Sequence, residues 1–145
     1  MITGVSVTPL KRILNEKGDI YHALKCSEDS FSVFGEAYFS SVNNGSVKGW
    51  KKHSKMMLNL VVPVGAIKFV LYDERINSDT YLKFSEVTLS KDNYCRITVP
   101  PNVWLSFQGA GTGLNLLLNL ASIEHDPSES EIRDLSEIQY DWDEL

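Results

Sequence analysis

Within eight residues the chain sets Lys48, Lys51, Lys52 and Lys55 around a single imidazole, His53. These residue types suggest two kinds of chemistry. A neutral imidazole, with an unperturbed pKa of about 6.5, can remove a proton near neutral pH. An ammonium acts as a point charge that holds a phosphate or stabilises an oxyanion. The cluster leads straight into the apolar stretch Met57 to Val62. Counted by twos from Lys51, one face carries Lys51, His53, Lys55, Met57, Asn59 and Val61, and the other carries Lys52, Ser54, Met56, Leu58 and Leu60. A face that begins polar and ends apolar suits a strand descending from the mouth of a barrel or sandwich, with its polar end lining a pocket. The other reading is a solvated edge on which lysines discourage aggregation.

The elements that must position this cluster are strands. Phe31 to Phe39, Met57 to Val62, Ala66 to Tyr72, Tyr81 to Leu89, Tyr94 to Val99, Val103 to Phe107 and Leu114 to Leu120 are short and rich in β-branched and aromatic residues. Turn material separates them: Asn43-Asn44-Gly45, Pro63-Val64-Gly65, Asn77-Ser78-Asp79, Lys91-Asp92-Asn93, Pro100-Pro101-Asn102 and Gly109-Ala110-Gly111. This spacing predicts an all-β, antiparallel sandwich or barrel. From Glu124 onward acidic residues dominate, and a short helix is expected after Pro127, capped by Ser128 or Ser130. Tyr140 and Trp142 are expected to anchor this tail.

At 145 residues, 43% hydrophobic and 23% charged, the chain is expected to form one domain with a real core. Fourteen Lys and Arg against nineteen Asp and Glu leave a net charge of -5. That balance argues against broad attraction to nucleic acid or to an anionic membrane, so the one basic cluster points to a small anionic ligand. Cys26 and Cys95 make neither a metal spacing nor a disulfide framework. The N-terminus lacks signal-peptide character, and no apolar run approaches the roughly 20 residues that span a bilayer. A reduced, cytoplasmic setting is expected.

The segment FGEAYFSSVNNGSVKGWKKHSKMMLNLVVPVGAIKFVLYDER, with ITVPPNVWLSFQG and LLLNLASIEHDPSESEIRDL, resembles the cupins related to dTDP-4-dehydrorhamnose 3,5-epimerase and to the sugar-nucleotide 3,4-ketoisomerases. The likeness runs from about Phe31 to Trp142. It implies a cupin jelly roll, or double-stranded β-helix, with a short helical or irregular C-terminal tail. It also implies a homodimer and a dTDP- or CDP-linked 4-keto-6-deoxyhexose as ligand. Where the epimerases have Arg-Gly-Leu-His, this chain has Lys48-Gly49-Trp50-Lys51. The Gly-aromatic-His-x-His of the ketoisomerases matches Gly49, Trp50, Lys51, Lys52 and His53, with the second histidine kept. The epimerases' second-motif histidine corresponds to Leu105, and their tyrosine acid falls near Asn119 or Glu124.

The resemblance therefore implies proton removal next to a ketone, with inversion at one carbon, C3 favoured. A 3,4-ketoisomerase and a cupin that only binds the sugar nucleotide are the alternatives. His53 is the expected base, Lys51 a rival base or the stabiliser of the enolate oxygen, and Tyr38 a candidate proton donor. Lys48 would meet the diphosphate. Trp50 and Trp104 are candidates for stacking on base or sugar, Asn59 and Asn119 for the sugar hydroxyls, and Arg75 for the nucleotide. The His-x-His, glutamate and glycine pattern of metal cupins reads Lys51, His53, Leu58 and Gly65 here. One imidazole does not hold a divalent ion, so neither metal nor cofactor is expected.

Overall fold

Strands buried in continuous runs, such as those at 58–62, 67–71 and 95–99, need cover on both faces, and the computed structural model accordingly shows two facing antiparallel sheets with further cover outside them. It describes residues 1–142; Asp143 and Glu144 of the acidic tail lie outside the described residues. In chain order the strands are β1 (Ser6–Pro9), β2 (Arg12–Ile13), β3 (Ile20–Tyr21), β4 (Glu36–Val42), β5 (Val47–His53) and β6 (Leu58–Val64). There follow β7 (Ala66–Tyr72), β8 (Phe84–Ser90), β9 (Cys95–Val99), β10 (Trp104–Gly109), β11 (Asn115–Ala121) and β12 (Ser130–Ile132). The first sheet has the order β1-β9-β6-β11-β4 and the second β12-β5-β10-β7-β8, while β2 and β3 form a separate hairpin. This is the all-β jelly roll that the sequence led us to expect.

The core lies between the sheets. Leu58, Leu60 and Val62 of β6 face Ile67, Phe69 and Leu71 of β7, with Ile97, Val99, Leu105 and Leu117 completing it. Each such side chain contributes roughly 1.5–3 kcal/mol by leaving water. A second apolar cluster, Trp50, Val70, Trp104 and Ile138, covers the outer face of the second sheet, with Tyr72, Tyr140 and Trp142 packed against it. Tyr140 and Trp142 thus anchor the tail as expected, with Trp142 6.1 Å from Trp50 between ring centroids.

Several boundaries differ from the sequence reading, each for a local reason. The strand expected from Phe31 starts at Glu36, because residues 23–31 cross the outer face of the first sheet. Buried Arg96 holds that crossing, donating to Ala23 O at 2.6 Å, Glu28 Oε2 at 2.5 Å and Ser30 Oγ at 2.5 Å. The strand expected from Tyr81 starts at Phe84, after Leu82 takes a φ of +59° that breaks extended pairing. The tail holds one 3₁₀ turn, Pro127–Glu129, rather than a longer helix, and its cap is Asp126 rather than a serine. Gly65 joins β6 to β7 at φ +79°, where an added Cβ would strike Asn115 and Leu114. Asn115 ties that corner together, accepting from Ala66 N at 3.0 Å and Gly111 N at 3.1 Å while donating to Val42 O at 3.2 Å.

After β7 the chain makes a loop organised by one carboxylate. Asp73, fully buried, accepts from Arg75 Nε and Nη2 at 2.8 Å each, Ser78 Oγ at 2.5 Å and Thr80 Oγ1 at 2.6 Å. The Arg75 bonds hold this carboxyl well below the usual carboxylate range, outweighing burial, with Ser78 and Thr80 assisting. A depressed native pKa stabilises the fold above the unfolded value and loses that effect as pH falls toward the native one. Asp73→Asn is expected to cost about 2–4 kcal/mol at pH 7. Urea titrations at pH 7 and pH 3 would check this, because the gap from wild type should narrow below about pH 4.

Candidate active site

The path of β5 decides which cationic side chains turn inward. Against β10, Leu105 pairs with Lys51 and Phe107 with Lys48, so three steps on β5 match two on β10. Gly49 and Trp50 together oppose Ser106, which is a β-bulge. Simple alternation would set Lys48 beside Trp50 on the outer face. The extra residue returns Lys48 to the inner face with Lys51 and His53, while Trp50 enters the outer cluster. Ser106 Oγ donates to Lys48 O at 2.7 Å across the bulge.

Between the sheets this gathers a cavity of about 200 Å³. One wall presents Lys48, Lys51 and His53 of β5 with Leu105 and Phe107 of β10; the facing wall presents Tyr38 and Ser40 of β4, Leu58 and Leu60 of β6, and Leu117 and Asn119 of β11. Lys48 Nζ donates to Ser40 Oγ at 2.9 Å, bridging the walls. Lys51 is half-buried and has no carboxylate partner among the described residues. The resemblance puts a tyrosine near Asn119. Here Asn119 pairs with Tyr38 of the neighbouring strand, and its Nδ2 donates to Tyr38 Oη at 2.9 Å.

His53 closes β5 and receives a partner that sequence reasoning did not single out. Strand β12 pairs Ser130 with His53, and the 3₁₀ turn before it tucks Glu129 beneath the imidazole. Glu129 is only 4% exposed, and its Oε1 bonds His53 Nδ1. Its Oε2 accepts from Lys55 N at 3.0 Å and Met56 N at 3.2 Å. Burial pushes this carboxyl upward, but the His53 bond and the two backbone N–H groups overcome it and hold the group below its ordinary value. An ionised acceptor at Nδ1 keeps the proton on that nitrogen and leaves the Nε2 lone pair free to act as a base. Glu129 is one acid among many in the tail, and only its docking against residues 53–56 distinguishes it.

Other expectations need correction. The single strand read through residues 51–61 is two strands in different sheets, separated by the turn at 54–57. Parity does not carry across that turn, so Leu58 and Leu60 face the cavity and Asn59 faces away. Asn59 donates to Ser30 O at 3.1 Å and accepts from Thr98 Oγ1 at 2.7 Å. Trp50 and Trp104 do not line the cavity, for both are buried in the outer cluster, donating to Ile138 O and Glu74 Oε2 at 3.0 Å. Arg75 is spent on Asp73 and on Thr3 O at 2.7 Å, far around the fold in its own loop. Lys52 points outward, over the Trp104 ring and paired with Glu131 at 3.3 Å. Among the described residues no cluster of three or more His, Cys, Asp or Glu could hold a metal ion.

No family model matches the chain. The crystal structure of a dTDP sugar isomerase from Desulfovibrio desulfuricans G20 is similar at a TM-score of 0.94, with 39% identity over 99% of this chain and 94% of that one. The probable low-salt glycan biosynthesis epimerase Agl13 of Haloferax volcanii is 27% identical over 147 residues, covering 97% of this chain and 94% of Agl13. ChmJ, a 3'-monoepimerase from Streptomyces bikiniensis solved with dTDP-quinovose, shares the fold at a TM-score of 0.85 and 15% identity, over 99% of this chain and 77% of its own.

The Glu129 geometry predicts a signature in stability. Glu129→Gln leaves the backbone donors of Lys55 and Met56 facing an amide, so it is expected to cost about 1–3 kcal/mol at pH 7. Because the native carboxyl titrates below its unfolded value, the difference from wild type should shrink as pH falls below about 4.5. Urea denaturation at pH 7 and pH 4 measures it, and a gap that stays constant would contradict an ionised Glu129.

Proposed function

The chain belongs to the family of dTDP-sugar isomerases and epimerases built on the cupin jelly roll, and from that premise we propose that it inverts one carbon, C3 in first place, of a nucleotide-linked 4-keto-6-deoxyhexose. The observation that carries the reading is a base and a phenol on facing walls of one cavity: His53 backed by Glu129, and Tyr38 opposite. Inversion needs a proton removed from one side of a carbon and returned to the other. His53 Nε2 takes the C3 proton, and the electron pair moves into an enolate whose charge gathers on the C4 oxygen. Lys51, on the same wall and free of a carboxylate partner among the described residues, stabilises that oxygen as an ammonium. Tyr38 returns a proton from the facing wall.

Size and charge divide the ligand between cavity and mouth. A space of about 200 Å³ is smaller than the roughly 300–1,000 Å³ that encloses a drug-sized ligand, so it suits the sugar and leaves the nucleotide outside. Lys48, held by Ser40, meets the diphosphate as a point charge. The relatives' names favour dTDP as the nucleotide, with CDP as the alternative. The chemistry draws on the chain's own acids and bases and calls for no cofactor. We further propose a cytoplasmic homodimer supplying deoxysugar for a surface polysaccharide such as O-antigen or lipopolysaccharide; no helix among the described residues is long and apolar enough to cross a membrane. A second reading, the 3,4-ketoisomerase, draws on Lys51 and His53 standing on one wall, where they could pass a proton along one face of the sugar.

NMR in D2O with dTDP- and CDP-4-keto-6-deoxyglucose separates these readings. Deuterium is expected at C3 alone, in an inverted product, with His53→Ala slower by about 10²–10⁴-fold. A product with its ketone at C3 would mean a ketoisomerase, and deuterium at C5 as well would mean a double epimerase. Binding without exchange at any carbon would leave a pocket that holds the sugar nucleotide without turning it over.

A further inference from the structure

Three asparagines are buried in the first sheet, and two of them are satisfied at both ends of the amide. Asn115 donates and accepts within the corner it ties, and Asn59 bridges Thr98 and Ser30. Asn119 differs. It is 3% exposed and lines the cavity, its Nδ2 donates to Tyr38 Oη, and its Oδ1 has no partner among the described residues. A buried acceptor left unmet costs about 1–3 kcal/mol. An asparagine kept only for packing would be replaced by an apolar residue at no such cost.

We propose that Asn119 is a positioning residue that makes Tyr38 the acid of the facing wall; this rests on the epimerase reading above. A phenol oxygen that accepts from an amide directs its own hydrogen elsewhere, and here that direction is the cavity. When Tyr38 gives its O–H proton to C3, the bond to hydrogen breaks, a new C–H bond forms on the side opposite His53, and the enolate electrons return to carbon. The phenolate that remains keeps the Asn119 N–H as a hydrogen-bond donor. Tyr38 is 45% exposed, so water at the mouth restores its proton while His53 releases the one it took. The unmet Oδ1 fits the same arrangement, because turning the amide to satisfy it would let Tyr38 donate to Asn119 and withdraw the proton from the sugar.

The test uses the partition between exchange and inversion, which a merely structural asparagine would not alter. Wild type, Tyr38→Phe, Asn119→Leu, Asn119→Asp and the double variant Tyr38→Phe/Asn119→Leu are compared in D2O with dTDP-4-keto-6-deoxyglucose. Without Tyr38, His53 still removes the C3 proton and returns deuterium to the same face, so exchange persists while inversion fails. Asn119→Leu is expected to slow inversion by about 10- to 100-fold and exchange by no more than about threefold. The double variant should be no slower than Tyr38→Phe, since Asn119 acts through the phenol. Asn119→Asp keeps the size but offers an acceptor in place of the donor, and is expected to behave like Asn119→Leu. Additive losses, exchange and inversion falling together, or full activity in Asn119→Asp would overturn the proposal alone. Wild type that binds the sugar yet shows neither exchange nor inversion would remove the epimerase reading and this inference with it.

Discussion

Glu129 is a carboxylate taken out of water, and such a group persists as an anion only where hydrogen-bond donors surround it. Its donors are His53 and the backbone N–H groups of Lys55 and Met56, some 73–76 residues earlier in the chain. Those two amides are available only because the chain leaves β5 at His53 and turns instead of running on. The same turn sends β6 into the opposite sheet, where Leu58 and Leu60 can face the cavity. The carboxylate, the turn and the strand order therefore require one another. Docking Glu129 also lays β12 along β5, covering an edge that would otherwise offer unpaired backbone groups.

Stability and geometry come from different places around β5. Its outer face is dry, with Trp50, Trp104 and Ile138 each contributing roughly 1.5–3 kcal/mol through burial. A buried carboxylate adds little net stability once its desolvation is counted, so the His53–Glu129 hydrogen bond is better understood as fixing an orientation. The bulge at Gly49 and Trp50 separates the two tasks. It lets one short strand send an aromatic outward while three cationic or basic groups turn inward. Rigid packing behind a strand is what holds groups in front of it to the tolerance that proton transfer needs.

Charge follows the same division. The protein is acidic overall, at -5, yet the cavity wall carries Lys48 and Lys51, because Glu129 meets His53 from beneath and Glu131 pairs with Lys52 on the outer face. A local positive potential between low-dielectric walls draws an anionic ligand without making the whole surface adhesive to polyanions.

The all-β class, the turn positions and the basic cluster are legible in the sequence alone, because period-two patterning, turn chemistry and a run of lysines around one histidine are local properties. Resemblance extended that to the cupin jelly roll. Strands such as Ala66–Tyr72 were legible to the residue, and Lys48, Lys51, His53, Tyr38 and Asn119 all line the cavity. The rest depends on long-range contacts. Parity is blind to a turn that changes sheets, so Asn59 was assigned to a face that it does not occupy, while Trp50 carried suitable chemistry but is buried in the outer cluster. Trp104 and Arg75 carried suitable chemistry but found their partners in Glu74 and Asp73, which no spacing announces. Glu129 was indistinguishable from its acidic neighbours until a contact 76 residues away in sequence gave it a histidine to hold. Local pattern sets which faces and turns a chain can form, whereas the partner of a buried charge is a long-range fact that exists only after the sheets have closed.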